Sequence, residues 1–279
     1  MAGKTEKLVG YTLLNKIAVG GLAEIYEAVD PANGRKVALK RLKDEWREDA
    51  AVVEKIRNEA AVQLRINHSR IVRILDLVDD GNEMVIVQEL VNGRSLWHDF
   101  NNETVFSAES KRNIALQLAE GIRALHEINI VHADLKALNI LLENDTEALK
   151  ICDFGESIWL GDSRQYRPGE QEIIWGSPLY MAPEQCRAQP VTKAADVYSA
   201  GVILYRLYGG KLPFDLADAD ELMQLKCISE PVSLRTICPE VPRWLDSVIQ
   251  KAIRLDPADR YPDGAALYQA LSIGYNSFQ

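Results

Sequence analysis

His132-Ala133-Asp134-Leu135-Lys136-Ala137-Leu138-Asn139, followed in order by Asp153-Phe154-Gly155 and Ala182-Pro183-Glu184, decides how this chain is read. Asn139 opens the apolar run Ile140-Leu141-Leu142, Glu143 to Glu147 supplies a polar turn, and Leu149 to Cys152 leads back to Asp153. That pattern predicts a short β-hairpin. Its strands run out and back, so Asn139 and Asp153 finish at the same end. Two hard oxygen ligands beside each other suit Mg²⁺ better than a soft metal. Asp134 lies five residues before Asn139. A carboxylate there stands near the ion, where it orients an attacking hydroxyl and accepts its proton.

Composition adds bounds. The chain has 279 residues, 47% hydrophobic and 26% charged, which is ordinary globular composition with room for a sizeable core. Met1 to Lys7 is polar and lacks the apolar centre of a signal peptide, and no uncharged run is long enough to span a membrane. A cytoplasmic protein is expected. Cys152, Cys186, Cys227 and Cys238 show no CxxC spacing, so they read as free thiols and not as zinc ligands or a disulfide framework. A net charge of -9 without a basic cluster opposes a nucleic-acid partner.

The first ninety or so residues alternate strand-like runs with a single helix, and the remainder is mainly helical around the hairpin. In the helix, Val52, Ile56, Ala60 and Leu64 recur every fourth residue and place Glu59 on the flank of the buried stripe. Met84-Val85-Ile86-Val87 is an unbroken apolar strand ending at Gln88-Glu89-Leu90-Val91, and Asn92-Gly93 then breaks the pattern. A boundary of this kind is a favoured place for a nucleotide. Ser272 to Gln279 reads as a short polar tail.

With Val37-Ala38-Leu39-Lys40 and Glu59 nineteen residues later, the ordered motifs resemble those of the eukaryotic-type serine/threonine protein kinases. The likeness extends from Val9 to Leu271. Gly20-Gly21-Leu22-Ala23-Glu24-Ile25-Tyr26 is similar to the bacterial members of that family. The resemblance implies an α+β, two-lobed fold within a single kinase domain over 1–279. It has a small, mainly antiparallel N-lobe with one key helix (about 9–90), a hinge (about 89–93) and a larger helical C-lobe (about 94–272). It further implies ATP and Mg²⁺ as cofactors, with Mn²⁺ as an alternative ion, and protein Ser/Thr hydroxyls as acceptors, the chain's own among them.

Carried over residue by residue, the resemblance makes Asp134 the catalytic carboxylate, with Lys136, Lys40 and Glu59 beside it in function and Asn139 and Asp153 as metal ligands. Lys40, held by Glu59, faces the α- and β-phosphates. Ile17, Ala18, Val19, Gly20, Gly21, Leu22, Ala23 and Ile25 form the phosphate cover. Glu89 and Val91 bind adenine through the backbone, Ile17, Ile25, Ala38 and Leu141 sandwich it, and Gln88 is the gatekeeper. Asp196 braces the catalytic loop, and Arg260 pairs with Glu184.

The departures carry information too. Ala18 and Ala23 replace two glycines of the cover, and a Cβ there restricts the backbone. Ala133 stands where most members carry Arg, so the loop Glu156 to Met181, with Ser157, Ser163 and Tyr166, lacks the guanidinium that would pair with a phosphate. Activity independent of loop phosphorylation is expected. Lys136 and Gly176-Ser177-Pro178-Leu179-Tyr180 fit the serine/threonine class, in which the Ser177 hydroxyl bridges Asp134 and Lys136. Two other readings remain, a nucleotide-binding pseudokinase scaffold and a small-molecule phosphotransferase. Labelled ATP, a generic protein substrate and an Asp134→Asn control separate the three.

Overall fold

Alternation along Lys36–Leu42 organises the first part of the chain, because successive side chains of a strand point to opposite faces. Val37 and Leu39 enter one apolar cluster with Leu8, Ala28, Val85 and Val87, whereas Leu42 enters another with Ile56, Ala60, Ile74, Met84 and Ile86. Lys40 shares the face of Leu42. The computed structural model describes residues 6–161 and 177–277, which fall into two compact units, Met1–Asn92 and Gly93–Gln279.

In the first unit, β1 (Lys7–Leu8), β2 (Tyr11–Val19), β3 (Ala23–Val29), β4 (Lys36–Leu42), β5 (Ile74–Asp79) and β6 (Met84–Glu89) form one antiparallel sheet in the order β1-β2-β3-β4-β6-β5. Helix α1 (Ala50–Gln63) packs Ile56 and Ala60 against the face that carries Leu42. Asp49 starts it, its carboxylate accepting from the amides of Ala51 at 2.9 Å and Val52 at 3.2 Å. The buried stripe differs from the fourfold repeat. Leu64 lies past the last helical turn and is 53% exposed, while Glu59 is buried in the stripe itself and not on its flank.

In the second unit, β7 (Gly93–Ser95) leads into α2 (Leu96–Asn101) and α3 (Ala108–Glu127). Then come β8 (Ile130–Val131), β9 (Ile140–Glu143), β10 (Leu149–Ile151) and β11 (Ile158–Trp159). The expected hairpin is β9–β10, paired antiparallel from Ile140↔Ile151 to Leu142↔Leu149. The helices α4 (Pro183–Cys186), α5 (Lys193–Gly209), α6 (Ala219–Ile228), α7 (Leu234–Ile237), α8 (Arg243–Ala252) and α9 (Gly264–Ser277) complete it. Mostly apolar, α5 is buried from Ala194 to Tyr205, its polar Asp196 and Ser199 included. At Gly201 a Cβ would stand 2.5 Å from Ile253 Cγ2 and 2.9 Å from Ala252 Cβ, so the absence of a side chain lets α5 meet the end of α8.

The C-terminal stretch is not a polar tail. Helix α9 continues through Ser277, because Tyr275 packs edge-on against Trp244 at 4.8 Å and hydrogen-bonds the Tyr208 hydroxyl. Gly274 allows this, since a Cβ there would overlap the Trp244 ring. Among the described residues no helix is long and apolar enough to cross a membrane.

Candidate active site

The candidate residues occur in both units. In the first, β4 presents Lys40 on the same sheet face as α1, and Lys40 Nζ donates to Glu59 Oε1 at 2.5 Å. The two side chains are 13% and 3% exposed, so water screens this pair far less than a surface bridge. Ala38, two residues before Lys40 on the same face, is buried. Opposite it in register lies Gln88, and Glu89 faces Val37. The Glu89 amide donates to Arg73 O at 2.9 Å and its carboxylate accepts from the Arg73 amide at 2.9 Å, which fixes the end of β6.

The β2–β3 hairpin carries the expected phosphate cover. Gly20 N–H donates to Ala23 O at 2.8 Å, closing the turn around Gly21 and Leu22. Ala18 pairs with Ile25 across the sheet, and the register slips between Lys16 and Ala18, leaving Ile17 as the bulged residue. Ala18 and Ala23 are strand residues, and neither is among the residues with positive φ. Alanine therefore meets no conformational barrier at either position, contrary to the restriction expected from a missing glycine. Ile17 and Val19 are exposed. Leu22 instead packs into the cluster beneath α1, and Ile25 is half-buried.

In the second unit, Asp196 in the first turn of α5 is fully buried and gathers three donors. Its Oδ2 accepts from the His132 amide at 2.8 Å and from His126 Nε2 at 3.0 Å, and its Oδ1 accepts from the Ala133 amide at 2.9 Å. His126 Nδ1 accepts from the Gly264 amide at 2.9 Å, so the proton sits on Nε2 and the hydrogen bond to Asp196 runs from the imidazole. This carboxylate thus fixes the entrance of the loop that carries Asp134. His132 is buried: its Nδ1 accepts from the Asp134 amide at 3.3 Å, its Nε2 donates to Cys152 O at 3.1 Å, and its ring meets Phe154 at 4.8 Å.

Lys136 Nζ donates to Asp134 Oδ2 at 2.5 Å. Asn139 Nδ2 donates to Asp134 O at 3.0 Å and to Asp134 Oδ2 at 3.4 Å. Both partners are acceptors, which assigns the nitrogen to that side and turns Asn139 Oδ1 to the other. The Cys152 amide donates to Asn139 O at 3.0 Å, so the two ends of the hairpin are joined next to Asp153. Asp153 itself adopts φ 65°, in the left-handed region. Leu141, between these ends on β9, is half-buried.

The bridge expected from Ser177 is absent. Lys136 reaches Asp134 directly, and among the described residues the Ser177 hydroxyl bonds neither of them; its carbonyl accepts from the Tyr180 amide at 2.9 Å and the Met181 amide at 3.1 Å. Ser157 is committed as well, its hydroxyl donating to Phe154 O at 2.7 Å. Ser163, Tyr166 and Gly176 lie outside the described residues.

The segment after residue 176 is pinned from several sides. Arg260 Nη1 and Nη2 donate to the two oxygens of Glu184, each at 2.7 Å, in a buried fork. The Ser199 hydroxyl donates to Tyr180 O at 2.9 Å, and Lys226 Nζ donates to Pro178 O at 2.8 Å and Leu179 O at 3.2 Å. Burial pushes the Lys226 ammonium down to about 8 and the Cys186 thiol up to about 11. Lys226 and Ser199 were not visible as site residues in the sequence. The one available signal was position, since Lys226 follows Leu222 by four and falls on the buried side of α6.

Asn139 and Asp153 offer an amide and a carboxylate oxygen, and among the described residues no group of three or more His, Cys, Asp or Glu is arranged for a metal. Such a sparse set of hard donors fits Mg²⁺, which binds through one or two carboxylates, retains water and takes substrate phosphates.

The sequence pattern of the protein kinase domain matches residues 11–270. A probable serine/threonine-protein kinase of Clostridium acetobutylicum is 33% identical over 269 residues, covering 96% of this chain and 40% of the relative. The serine/threonine-protein kinase PrkC of Bacillus subtilis is 32% identical over 251 residues, covering 90% and 38%. The serine/threonine-protein kinase PknA of Mycobacterium tuberculosis is 32% identical over 267 residues, covering 94% and 60%. The chain thus spans about two fifths of the length of the first two relatives.

Proposed function

Because this chain belongs to the protein kinase domain family, we propose that it transfers the γ-phosphoryl group of ATP to serine and threonine hydroxyls of a protein substrate, its own chain included. The observation that carries the proposal is the arrangement around Asp134. A carboxylate held by Lys136 and Asn139 stands on a loop whose first two amides are fixed by Asp196. Every group the chemistry requires is retained.

Asp134 orients the acceptor hydroxyl and takes its proton as the new O–P bond forms. The bond from the γ-phosphorus to the β–γ bridging oxygen breaks, and ADP leaves with that electron pair. Lys136 supplies positive charge to the transferring group and neutralises Asp134 between turnovers. Lys40, held by Glu59, stabilises charge on the α- and β-phosphates, while the β2–β3 turn at Gly20-Gly21 covers them. Glu89 and Val91 serve adenine through the backbone, with Gln88 as gatekeeper and Ile17, Ile25 and Ala38 as apolar surroundings. Asn139 and Asp153 would hold Mg²⁺, which when bound would neutralise charge along the triphosphate. Dependence on ATP assigns the activity to the cytoplasm.

We infer further that transfer does not require a phosphate on the loop, because position 133 has a methyl group where a guanidinium would be needed. Pure protein, labelled ATP and a generic protein substrate test the proposal beside Asp134→Asn. Label transfer by the native chain and its loss in the variant support the kinase reading. ATP binding without transfer favours a scaffold, and transfer restricted to small molecules favours a small-molecule phosphotransferase. Phosphatase treatment should leave the initial rate unchanged, without a lag.

A further inference from the structure

Gln185 is the third residue of α4, is 9% exposed, and has a partner at each end of its carboxamide. Its Oε1 accepts from the Ala182 amide at 2.9 Å, closing the start of the helix, and its Nε2 donates to Ala133 O at 2.7 Å. The acceptor is the carbonyl directly before Asp134. Ala133 adopts φ 62°, a left-handed conformation that a non-glycine residue keeps when its surroundings over-determine it. Here the residue is gripped on both sides, its N–H by Asp196 and its C=O by Gln185. The carbonyl and the Asp134 amide share one peptide plane, so fixing the first orients the backbone from which the Asp134 side chain departs.

Helix α4 is itself immobilised. Glu184 is bound to Arg260, and Tyr180 O just before the helix accepts from Ser199. We propose that Gln185 is a positioning residue, whose neutral carboxamide couples the segment around Ala182-Pro183-Glu184 to the catalytic loop and sets the alignment of Asp134. This rests on the reading of Asp134 as the catalytic carboxylate. The connection passes through the backbone of residue 133 and needs no charged side chain there, so it is made without a phosphate.

Two substitutions and two measurements test it. Gln185→Met keeps the length and removes both donor and acceptor, and kcat should fall about tenfold with both KM values nearly unchanged, the effect of losing one hydrogen bond's alignment. Gln185→Glu keeps an acceptor for the Ala182 amide but turns a carboxylate oxygen toward Ala133 O, and donates there only when protonated. Ionisable groups on the surrounding elements are Glu184 and Cys186 on α4, Asp134 and Lys136 in the loop, Asp196 and Tyr198 on α5, Lys226 and Cys227 on α6, and Arg260. Burial and the neighbouring carboxylates keep the new proton bound, whereas Lys136, Lys226 and Arg260 oppose them. The rate of Gln185→Glu relative to the native chain should rise about fivefold from about pH 7.5 to about pH 6, while the Gln185→Met ratio stays flat.

An unchanged kcat in Gln185→Met, or a flat ratio for Gln185→Glu, overturns the proposal. Amide hydrogen exchange of residues 132–139 reads the clamp without activity. Faster exchange in Gln185→Met supports it even if the native chain transfers no label, which would sink the kinase reading alone, and undiminished protection overturns it.

Discussion

Asp196→Asn tests the brace beneath the catalytic loop. The native carboxylate serves three donors, two on Oδ2 and one on Oδ1, at 2.8, 3.0 and 2.9 Å. An amide has one acceptor oxygen. In its better orientation that oxygen keeps the His132 amide and His126, and the new NH₂ faces the Ala133 N–H, donor against donor. The charge-assisted bond to Ala133 is lost, at about 1.5–3 kcal/mol, and a buried N–H goes unsatisfied at about 1–3 kcal/mol. Together this is about 2.5–6 kcal/mol, a large part of the about 5–15 kcal/mol by which a domain is stable. Asp196→Ala strands all three donors and should cost more. Urea denaturation of both variants, followed by far-ultraviolet circular dichroism, gives the difference from the shift in midpoint at constant slope. A loss below about 1 kcal/mol for Asp196→Asn, or an Asp196→Ala variant as stable as the asparagine one, would refute the three-donor account.

Four further outcomes follow from the geometry. Asp153→Asn should abolish most transfer at ordinary Mg²⁺ while leaving the circular dichroism spectrum unchanged; native turnover in the variant would defeat its assignment as a metal ligand. Lys40→Met should reduce turnover far more than nucleotide affinity, as measured by calorimetric titration against steady-state rates, and equal losses would mean that Lys40 contributes uniform binding. Ala18→Gly should bring no gain in turnover and a stability loss of about 0.5–1 kcal/mol by thermal melting, because the strand backbone there needs no glycine; a clear rise in rate would contradict that. For Lys226, the folded pKa of about 8 lies below the ordinary 10.5, so across that window the unfolded chain holds a proton the folded chain has released. Its contribution to stability therefore rises with pH over that range, by about 3 kcal/mol, and Lys226→Met should remove the rise in denaturation midpoints.

The sequence makes local structure plain where one segment suffices to specify it. The β9–β10 hairpin follows from Ile140-Leu141-Leu142, a polar turn and Leu149 to Ile151, and its register places Asn139 and Asp153 at one end. Lys40 and Glu59 were legible through the motif and spacing they share with the kinase family, although the fourfold repeat put Glu59 on the flank of the stripe and the helix buries it. Helix ends were not. Leu64 continues the fourfold repeat but lies beyond the last turn, and Ser272 to Ser277 looks polar until Trp244 supplies a surface for Tyr275. Ala18 looked restrictive because residue type was read without backbone geometry. Gln185, Ser199 and Lys226 stayed hidden for another reason. Their partners are main-chain carbonyls distant in sequence, and every residue type presents the same carbonyl, so the acceptor side leaves no mark on composition. Gln185 had a partial signal, a glutamine at the third position of a helix, which can reach back to the cap amide.

Helix α5 serves as a ruler shared by otherwise separate parts. Position 196 meets the catalytic loop, 199 holds Tyr180 O, and 201 admits the end of α8. A helix advances about 1.5 Å and turns about 100° per residue, so these three stations keep fixed spacing and bearing. One residue inserted or deleted ahead of Asp196 would turn all three together, and no single compensating substitution could restore them. The loop that carries Asp134 and the segment around Tyr180 therefore share a common frame: side chains can diverge at either place, but the helical phase between Asp196 and Ser199 is held by both at once.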